Sequence, residues 1–450
     1  MSELVVGILG FLCIIAIVTV LFKGKMQPSI AFIVFPMLLG VALVFGGYYT
    51  WANLGRLIRS GFGSTSATAA LFVFSVLYFG IMTDAGMFDV VIGKLMKLVG
   101  DSVIGVCVMT CVIALIGHLD GGGASTFCIV VPAMLPVYKK MHMRPETMLR
   151  ISVLAMGVLN LMPWAGPTMR AATVLGIEAS SLWHTILPIQ GAGIALALVV
   201  AVLCGIIERN RGAGLNGKLA AEAVETGETV VAEQTVNELA RPKLFVFNLL
   251  LTLAVIAMLI KSPFPSYVPF MIGTATALIV NYPGGKLHKS IINSHAGPAL
   301  MMCSTLMGAG VLMGVLVKDV KGVTSVITCM SNLITQFMPD VLGRHLPLVI
   351  GVLSVPLALA FDTDSYFYGM LPVVIGIGKG FGIDALPIAV AMVVCRNCAT
   401  FISPMVPATL LGVGLAGVDI KDHIKHSFLW VWAFSFICMI VAVVLGIMPA

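Results

Sequence analysis

The sequence has few charged residues. Asp, Glu, Lys and Arg make up 10% of its 450 residues, whereas an ordinary soluble domain carries roughly 25%. Hydrophobic residues account for 59% of the chain, and apolar runs of about 18 residues or more, long enough to cross a bilayer, recur along it. This composition excludes a water-soluble protein. Because backbone groups in lipid must bond within their own segment, the sequence predicts an all-α polytopic membrane protein.

Signals for several other protein classes are missing. The net charge of +6 comes from residues at the ends of apolar runs. These residues form no basic face, so no nucleic-acid partner is expected. The ten cysteines are scattered through apolar runs, which predicts no disulfide framework. The first run, residues 5–22, lacks a basic start and a cleavage site and is predicted to be a retained span, not a signal peptide.

The apolar runs fall into two similar sets. The first covers roughly 5–22, 29–47, 67–83, 86–100, 102–140, 147–178 and 183–206, and the second 244–260, 266–282, 297–316, 318–340, 344–380, 385–418 and 427–448. Residues 207–243 contain many Glu and Ala residues but no long apolar run, which is typical of a soluble linker. We therefore predict a first membrane repeat over 1–206, a linker over 207–243 and a second repeat over 244–450.

A shift of 240 positions relates the two sets. It places Ser125 on Ser365 and Pro167 on Pro407. About five crossings and one re-entrant helical hairpin per half would make the second repeat inverted relative to the first, an arrangement common in transporters. With both termini outside, 17 of the 26 Lys and Arg residues fall on inner loops and seven on outer loops. The positive-inside rule therefore predicts a cytoplasmic linker.

Two polar stretches interrupt the apolar runs at matching positions of the two halves. Residues 119–126 read Leu-Asp-Gly-Gly-Gly-Ala-Ser-Thr, and residues 361–366 read Phe-Asp-Thr-Asp-Ser-Tyr. Carboxylates at membrane depth are costly unless they face a cavity or partners, so each stretch is predicted to be a hairpin tip that holds ions. An extramembrane turn is the alternative, since Asp-Gly is also a turn signal. His118, beside the first tip, is either a proton relay or a polar bystander.

Two further runs are broken by paired prolines, within residues 160–170 and 396–409. Proline interrupts the helical hydrogen-bond ladder, and Asn, Ser and Thr can then line the unwound stretch with oxygen atoms. A kinked helix without a binding role is the alternative. Arg170 and Arg396 lie in these breaks, where they either bind a carboxylate in bidentate fashion or neutralise the acids of the tips. The Cys-x-x-Cys at 395–398 has no second pair and predicts no metal site.

On these residues the chain resembles the citrate–metal ion symporter family (CitMHS) of the ion transporter superfamily. The matching stretches are, in order, residues 78–84, 120–121, 160–172, 247–253, 363–372 and 403–409. The resemblance covers nearly the whole chain. It implies a secondary transporter of the bacterial plasma membrane that imports citrate, as a complex with a divalent cation, together with protons. It also implies a homodimer that works by an elevator motion of transport domains against scaffold domains.

The chain departs from the family pattern at three places. The first tip of the family usually reads Asp-Gly-Asp-Gly, whereas Gly122 stands here in place of the second acid. The last broken helix of the family tends to read Gly-Gln-Pro, whereas residues 396–398 read Arg-Asn-Cys. Asp362 adds an acid where the family often has none. Other tri- or dicarboxylates, with or without a metal, therefore stay open as substrates.

The two tips and the two breaks are expected to form one pocket at the bilayer midplane. The predicted substrate-binding residues are Gly123, Ser125, Thr126, Asn160, Gly166, Thr168, Arg170, Ser365, Arg396, Asn397, Thr400, Ser403 and Thr409. A tricarboxylate of roughly −3 charge beside three acids requires compensation, which a co-transported Mg²⁺ or Ca²⁺ and protons would supply. Asp120, Asp362 and Asp364 are therefore the predicted metal or proton sites. Membrane lipids are expected partners, and no tightly bound cofactor is expected.

Three other functions are weighed against this prediction. A carrier that binds the carboxylate without metal and couples to H⁺ or Na⁺ is the main alternative. An intramembrane enzyme is not predicted, because the sequence contains no His-Glu-x-x-His motif and no persuasive pair of nucleophile and base. A channel is disfavoured because duplicated re-entrant sites at the midplane suit alternating access.

Overall fold

The computed structural model of the protein describes residues 1–97, 100, 102–215, 239–261 and 264–449. Most of the predicted linker, at 216–238, lies outside the described residues. Within the described part the secondary structure is helical, apart from one isolated bridge between Val320 and Val323.

The two halves of the chain contain helices in a similar order. The first half contributes α1 (Glu3–Phe22), α2 (Pro28–Phe45), α3 (Trp51–Asp84), α4 (Met87–Met96), α5 (Val103–Gly117), α6 (Gly123–Lys140), α7 (Pro145–Leu159), α8 (Gly166–Leu175) and α9 (Ala179–Asn210). The second half contributes α10 (Phe245–Lys261), α11 (Tyr267–Asn281), α12 (Gly285–Val317), α13 (Val326–Thr335), the short α14 (Asp340–Arg344), α15 (Leu346–Ala360), α16 (Leu371–Gly380), α17 (Ala385–Cys398), α18 (Pro407–Ala416) and α19 (Ile420–Val444). Short 3₁₀ turns occupy His118–Asp120, Pro242–Leu244 and Thr400–Ile402, and a π-helix spans Ser365–Met370.

Eight of the described helices are long and apolar enough to cross a membrane, and five more are apolar but shorter. The long ones are α1, α2, α3, α9, α12, α19, α5 with its following 3₁₀ turn, and α10 with its preceding one. Large apolar side chains such as Phe45, Leu300 and Val444 lie exposed on the outer surface. An apolar exterior of this kind is suited to lipid and not to water.

Two helices are much longer than the hydropathy of the sequence predicts. The apolar run at 67–83 belongs to the 34-residue helix α3, and the run at 297–316 belongs to the 33-residue helix α12. The additional turns are polar, and a capping bond from the Asn53 N–H to the Thr50 hydroxyl, 3.1 Å long, begins α3. Hydropathy detects the apolar part of a helix but not the polar turns that precede it, because those turns contain no long apolar run.

Helices α3 and α12 pack closely along their length because glycines face each other. A Cβ added at Gly61 would lie 2.0 Å from the Gly310 carbonyl oxygen, and one added at Gly314 would lie 2.5 Å from the Leu57 carbonyl oxygen. Helix α2 packs on α12, and α11 packs on α3. These four helices form one packing group.

Helices α5–α9 and α15–α19 form a second group. Helix α5 contacts α7 and α9, and α15 contacts α17 and α19. Helix α6 packs against α18 of the other half, and α8 packs against the π-helix that precedes α16. Both polar tips and both proline breaks belong to this group, so its interior is where the candidate site is assembled.

Candidate substrate-binding site

The first tip is held by its own aspartate. Helix α5 ends at Gly117, and Gly121 adopts φ +71°, a conformation that favours glycine. The Asp120 carboxylate accepts the Gly122 N–H at 2.7 Å through Oδ1 and the Ser125 hydroxyl through Oδ2. The carboxylate therefore holds the turn that precedes α6, and its hydrogen-bonding capacity is partly used within the tip.

His118 ties the first tip to the first break. Its Nδ1 lies 2.7 Å from the Thr126 hydroxyl and its Nε2 lies 3.1 Å from Oδ1 of Asn160. The Trp164 indole N–H donates to the Leu119 carbonyl at 2.7 Å. His118 is fully buried, and its two nitrogen atoms contact one residue of the tip and one of the break.

The second tip depends on a residue from the other half of the chain. Nε of Arg170 on α8 lies 2.6 Å from Oδ1 of Asp364, and the two side chains are 6% and 14% exposed. Asp362 accepts the Ser365 N–H at 2.9 Å through its Oδ1. A Cβ added at Gly166 would lie 2.4 Å from Nη1 of Arg170, so this glycine leaves room for the guanidinium.

Arg396 is the least satisfied charged group of the site. It is fully buried, and Nη1 donates to the Thr400 hydroxyl at 2.8 Å. Nε and Nη2 have no hydrogen-bond partner among the described residues, and the same holds for the buried Thr409 hydroxyl. The guanidinium carbon lies 5.7 Å from the centre of the Tyr366 ring. Buried polar groups are normally hydrogen-bonded, so these unpaired donors make Arg396 a candidate for binding an anion.

The two breaks meet where α7 and α17 cross. Asn397 donates to the Asn160 carbonyl at 3.4 Å, and the Thr168 hydroxyl donates to the same carbonyl at 3.0 Å. A Cβ added at Gly157 would lie 2.7 Å from the Asn397 carbonyl oxygen. The crossing is therefore close enough that only glycine fits, and it holds polar side chains from both halves in one cluster.

The predicted residues separate into an accessible and a buried set. Six are partly exposed, namely Asp120, Gly123, Ser125, Gly166, Asp362 and Asp364. The other ten are buried, namely Thr126, Asn160, Thr168, Arg170, Ser365, Arg396, Asn397, Thr400, Ser403 and Thr409. The first tip also reaches the second break, since a Cβ at Gly123 would lie 2.3 Å from the Phe401 ring. All four predicted stretches thus contact at least one of the others.

Sequence reasoning did not find several contributors to the site. Met302 of α12 places its sulfur 3.2 Å from Nη2 of Arg170, and no local pattern marks it. Tyr368 is fully buried, and its hydroxyl has no partner among the described residues. Phe401 stacks edge-on against His118 at 5.3 Å. Aromatic residues inside the polar stretches are the only signal that could have pointed to the last two.

The described residues include no group of three or more His, Cys, Asp or Glu side chains that could hold a metal ion. Asp120 lies on one tip, and Asp362 and Asp364 lie on the other. Cys395 and Cys398 are buried free thiols in α17. Ca²⁺ takes six to eight oxygen ligands and Mg²⁺ takes six. An ion at this site would therefore need most of its ligands from the substrate.

An apolar exterior, spanning helices and an interior cluster of broken helices with buried arginines define an integral membrane transport protein. Comparison with known proteins identifies the family of transporters. The citrate transporter family (CitMHS) matches residues 8–395, and the chain belongs to this family. It is thus a transporter of the bacterial plasma membrane and not an enzyme.

Two relatives from Bacillus subtilis (strain 168) align along almost their whole length. A citrate transporter is 34% identical over 441 residues, which is 98% of this chain and 99% of the relative. A Mg(2+)/citrate complex secondary transporter is 32% identical over 440 residues, 98% of each chain. The crystal structure of the Alcanivorax borkumensis YdaH transporter has a similar fold, with a TM-score of 0.61 at 15% identity, over 94% of this chain and 100% of that one.

Proposed function

We propose that this protein is a secondary active transporter that imports citrate or a related tri- or dicarboxylate, as a complex with a divalent cation and together with protons. The observation that carries the proposal is Arg396, a buried guanidinium with two unpaired donor groups in the polar cluster. A guanidinium presents its donors as a planar fork that matches a carboxylate. The two Bacillus subtilis relatives named for citrate and for Mg²⁺–citrate support this substrate class.

Charge balance favours the metal complex over the free anion. Asp364 already occupies Arg170, and Asp362 lies within electrostatic range of Arg396. Little positive charge is therefore left for a tricarboxylate of roughly −3, and an uncompensated buried charge is strongly unfavourable. A divalent ion that takes its ligands from the substrate reduces that charge to about −1. Asp364 is the leading group for the cation or proton, and Asp120 is its counterpart.

Uptake into proteoliposomes tests the metal requirement. We expect citrate uptake to require Mg²⁺ or Ca²⁺, to stop with excess chelator and to rise at acidic pH. The metal requirement is expected to change in Asp364→Asn and to stay as in the wild type in Asp422→Asn, a matched exposed acid on α19. Undiminished uptake without divalent ions would instead support a metal-free carrier coupled to H⁺ or Na⁺. Counterflow of labelled substrate separates either carrier from a channel.

Contacts between the helices support two inverted repeats, over 1–206 and 244–450. When the halves are exchanged, the packing of α2 on α12 corresponds to that of α11 on α3, and α1 on α13 corresponds to α10 on α4. We assign α2, α3, α11 and α12 to a scaffold and α5–α9 with α15–α19 to a transport domain that moves as an elevator. The linker 207–243 faces the cytoplasm. External labelling of Ala221→Cys in intact cells would contradict this orientation.

The same assignment leads to a homodimer joined through the scaffold, because a moving domain needs a fixed partner in the membrane. Native mass spectrometry of the protein in mild detergent tests the mass of the assembly. If the protein has the mass of a single chain and still shows full uptake, the dimer is not the working unit.

A further inference from the structure

A cavity lies where one end of the second packing group meets the end of α12. Its volume is about 510 Å³, within the range of roughly 300–1,000 Å³ that small-molecule sites occupy. The end of α8, residues 174–176, forms part of its lining together with residues of α13 and α16. We call this cavity the vestibule. It contains none of the sixteen residues predicted from the sequence.

The vestibule opens at the membrane face opposite the linker. Helix α9 begins at Ala179, next to the vestibule residue Gly176, and runs 32 residues to Asn210 near the point where the described chain stops before 216. At 1.5 Å per residue this helix is about 48 Å long. The vestibule and the linker are therefore on opposite sides, and a cytoplasmic linker makes the vestibule external.

Two lysines give the vestibule its charge. Lys318 and Lys379 line it, and neither forms an ion pair among the described residues. Asp319 is the one acid in the lining, which leaves one excess positive charge. A metal–citrate complex carries about −1, so the charges of the vestibule and of the proposed substrate are opposite and similar in size.

A further part of the lining is polar as well. Helix α13 and its start supply Ser325, Thr328, Ser331 and Asn332 to the lining. Thr328 and Asn332 are exposed, while the Ser325 hydroxyl lies 2.8 Å from that of Thr328. Hydroxyl and amide groups can bind both the carboxylates and the hydroxyl of a hydroxy-acid, because they donate and accept. These groups lie beside apolar lining residues such as Val317, Ile327 and Ile375, so the vestibule offers polar and apolar contacts together.

The elements around the vestibule also carry the ion pair of the site. Val174 in the lining is one helical turn beyond Arg170 on α8, about 6 Å along the axis. Helix α16, which supplies Pro372 and Lys379, continues directly from the π-helix that begins beside Asp364. The vestibule therefore shares α8 with Arg170, and the segment of Asp364 leads into the helix that carries Lys379.

We propose that the vestibule is an external capture site for the carboxylate substrate, a proposal that rests on the function proposed above. Lys318 and Lys379 attract and hold the anionic complex, and one of its carboxylates then displaces Asp364 from Arg170. The two lysines increase the rate of capture without taking part in translocation. Their effect is electrostatic, so it weakens as salt screens the charges.

Uptake kinetics of Lys318→Gln/Lys379→Gln at several ionic strengths test this proposal. At low ionic strength we expect the KM for citrate with Mg²⁺ to rise about threefold to tenfold, within the range of electrostatic steering, with an unchanged maximal rate. The difference from the wild type should shrink at high salt. Lys321→Gln is the matched control, because Lys321 is exposed three residues from Lys318 and is not part of the vestibule lining. An unchanged KM in the double variant at low salt would overturn the proposal.

Thiol labelling of Asn332→Cys provides a readout that does not depend on transport. We expect an anionic methanethiosulfonate to react faster than a cationic one, and citrate with Mg²⁺ to slow the reaction. Adding Lys318→Gln should remove both effects, and the unsubstituted protein corrects for native cysteines. A labelling rate that depends neither on the charge of the reagent nor on the substrate would also overturn the proposal. If the wild type transports no carboxylate at all, the proposed function fails. If uptake is normal but neither the lysine substitutions nor the substrate change the measured KM and labelling rates, only the vestibule proposal is refuted.

Discussion

Replacing Arg170 with Gln leaves Asp364 without its partner in a largely buried position. The two groups are 2.6 Å apart, and their side chains are only 6% and 14% exposed. Removing one member of a buried ion pair typically destabilises a protein by about 3–5 kcal/mol. Since Asp364 retains some exposure and can draw on water, we expect a loss near the lower end, about 3 kcal/mol, for Arg170→Gln and for Asp364→Asn.

The double variant Arg170→Gln/Asp364→Asn removes both charges and is expected to recover most of that loss. A double-mutant cycle on denaturation in detergent then gives a coupling energy of about 2 kcal/mol or more. Asp340 and Arg344 on the short helix α14 supply the control, because they form no ion pair among the described residues. Their cycle should give a coupling energy near zero.

Transport gives the second half of this prediction. If the substrate carboxylate replaces Asp364 on Arg170, Arg170→Gln loses a charge-assisted hydrogen bond of about 1.5–3 kcal/mol. That range corresponds to a KM about 10 to 150 times higher. Asp364→Asn removes the competitor of the substrate, so its KM should not rise, while stimulation by acid should diminish. A coupling energy below about 0.5 kcal/mol together with an unchanged KM in Arg170→Gln would refute the reasoning.

The remaining predictions concern the helix crossing and the tips. Gly157→Ala places a Cβ 2.7 Å from the Asn397 carbonyl oxygen and should destabilise the protein by about 1–3 kcal/mol, seen as a lower denaturation midpoint. Gly191→Ala, where a Cβ has open space, should not do so. Alanine at Ser125 and at Ser365 should each raise the KM for citrate about two- to tenfold by loss of one hydrogen bond. If both variants kept the KM and rate of the wild type, the proposed pocket would be wrong.

The sequence could predict where helices are interrupted better than how long they are. The polar stretches at 119–126 and 361–366 coincide with the ends of α5 at Gly117 and of α15 at Ala360, because glycine and aspartate leave a signal in the sequence itself. The polar first turns of α3 and α12 leave no such signal. Glu208 is polar but does not belong to an exposed linker, where the sequence placed it. It is fully buried at the end of α9, and its carboxylate lies 2.6 Å from Nε of Arg144.

The partners within the site could not be predicted. The sequence marked Arg170 and Arg396 as buried charges but left open which acid each one faces. Arg170 pairs with Asp364, 194 residues away, while Arg396 forms no ion pair within 4 Å among the described residues. Such choices depend on how helices of different halves pack, and no local pattern encodes that. His118 shows the same limit, because its bond to Asn160 crosses from the tip to the break.

The two tips occupy matching positions in the chain, yet their aspartates are satisfied differently, and this difference has a mechanical consequence. Asp120 bonds to Gly122 and Ser125 within its own tip, so a substrate that takes the Ser125 hydroxyl still leaves Asp120 bonded to the Gly122 N–H. Asp364 instead holds Arg170 of α8, and a substrate carboxylate is a direct competitor for that guanidinium. We therefore expect substrate binding to release the second tip from α8, while the first tip keeps the bond between Asp120 and Gly122. We infer that the second tip is the one that moves when substrate enters.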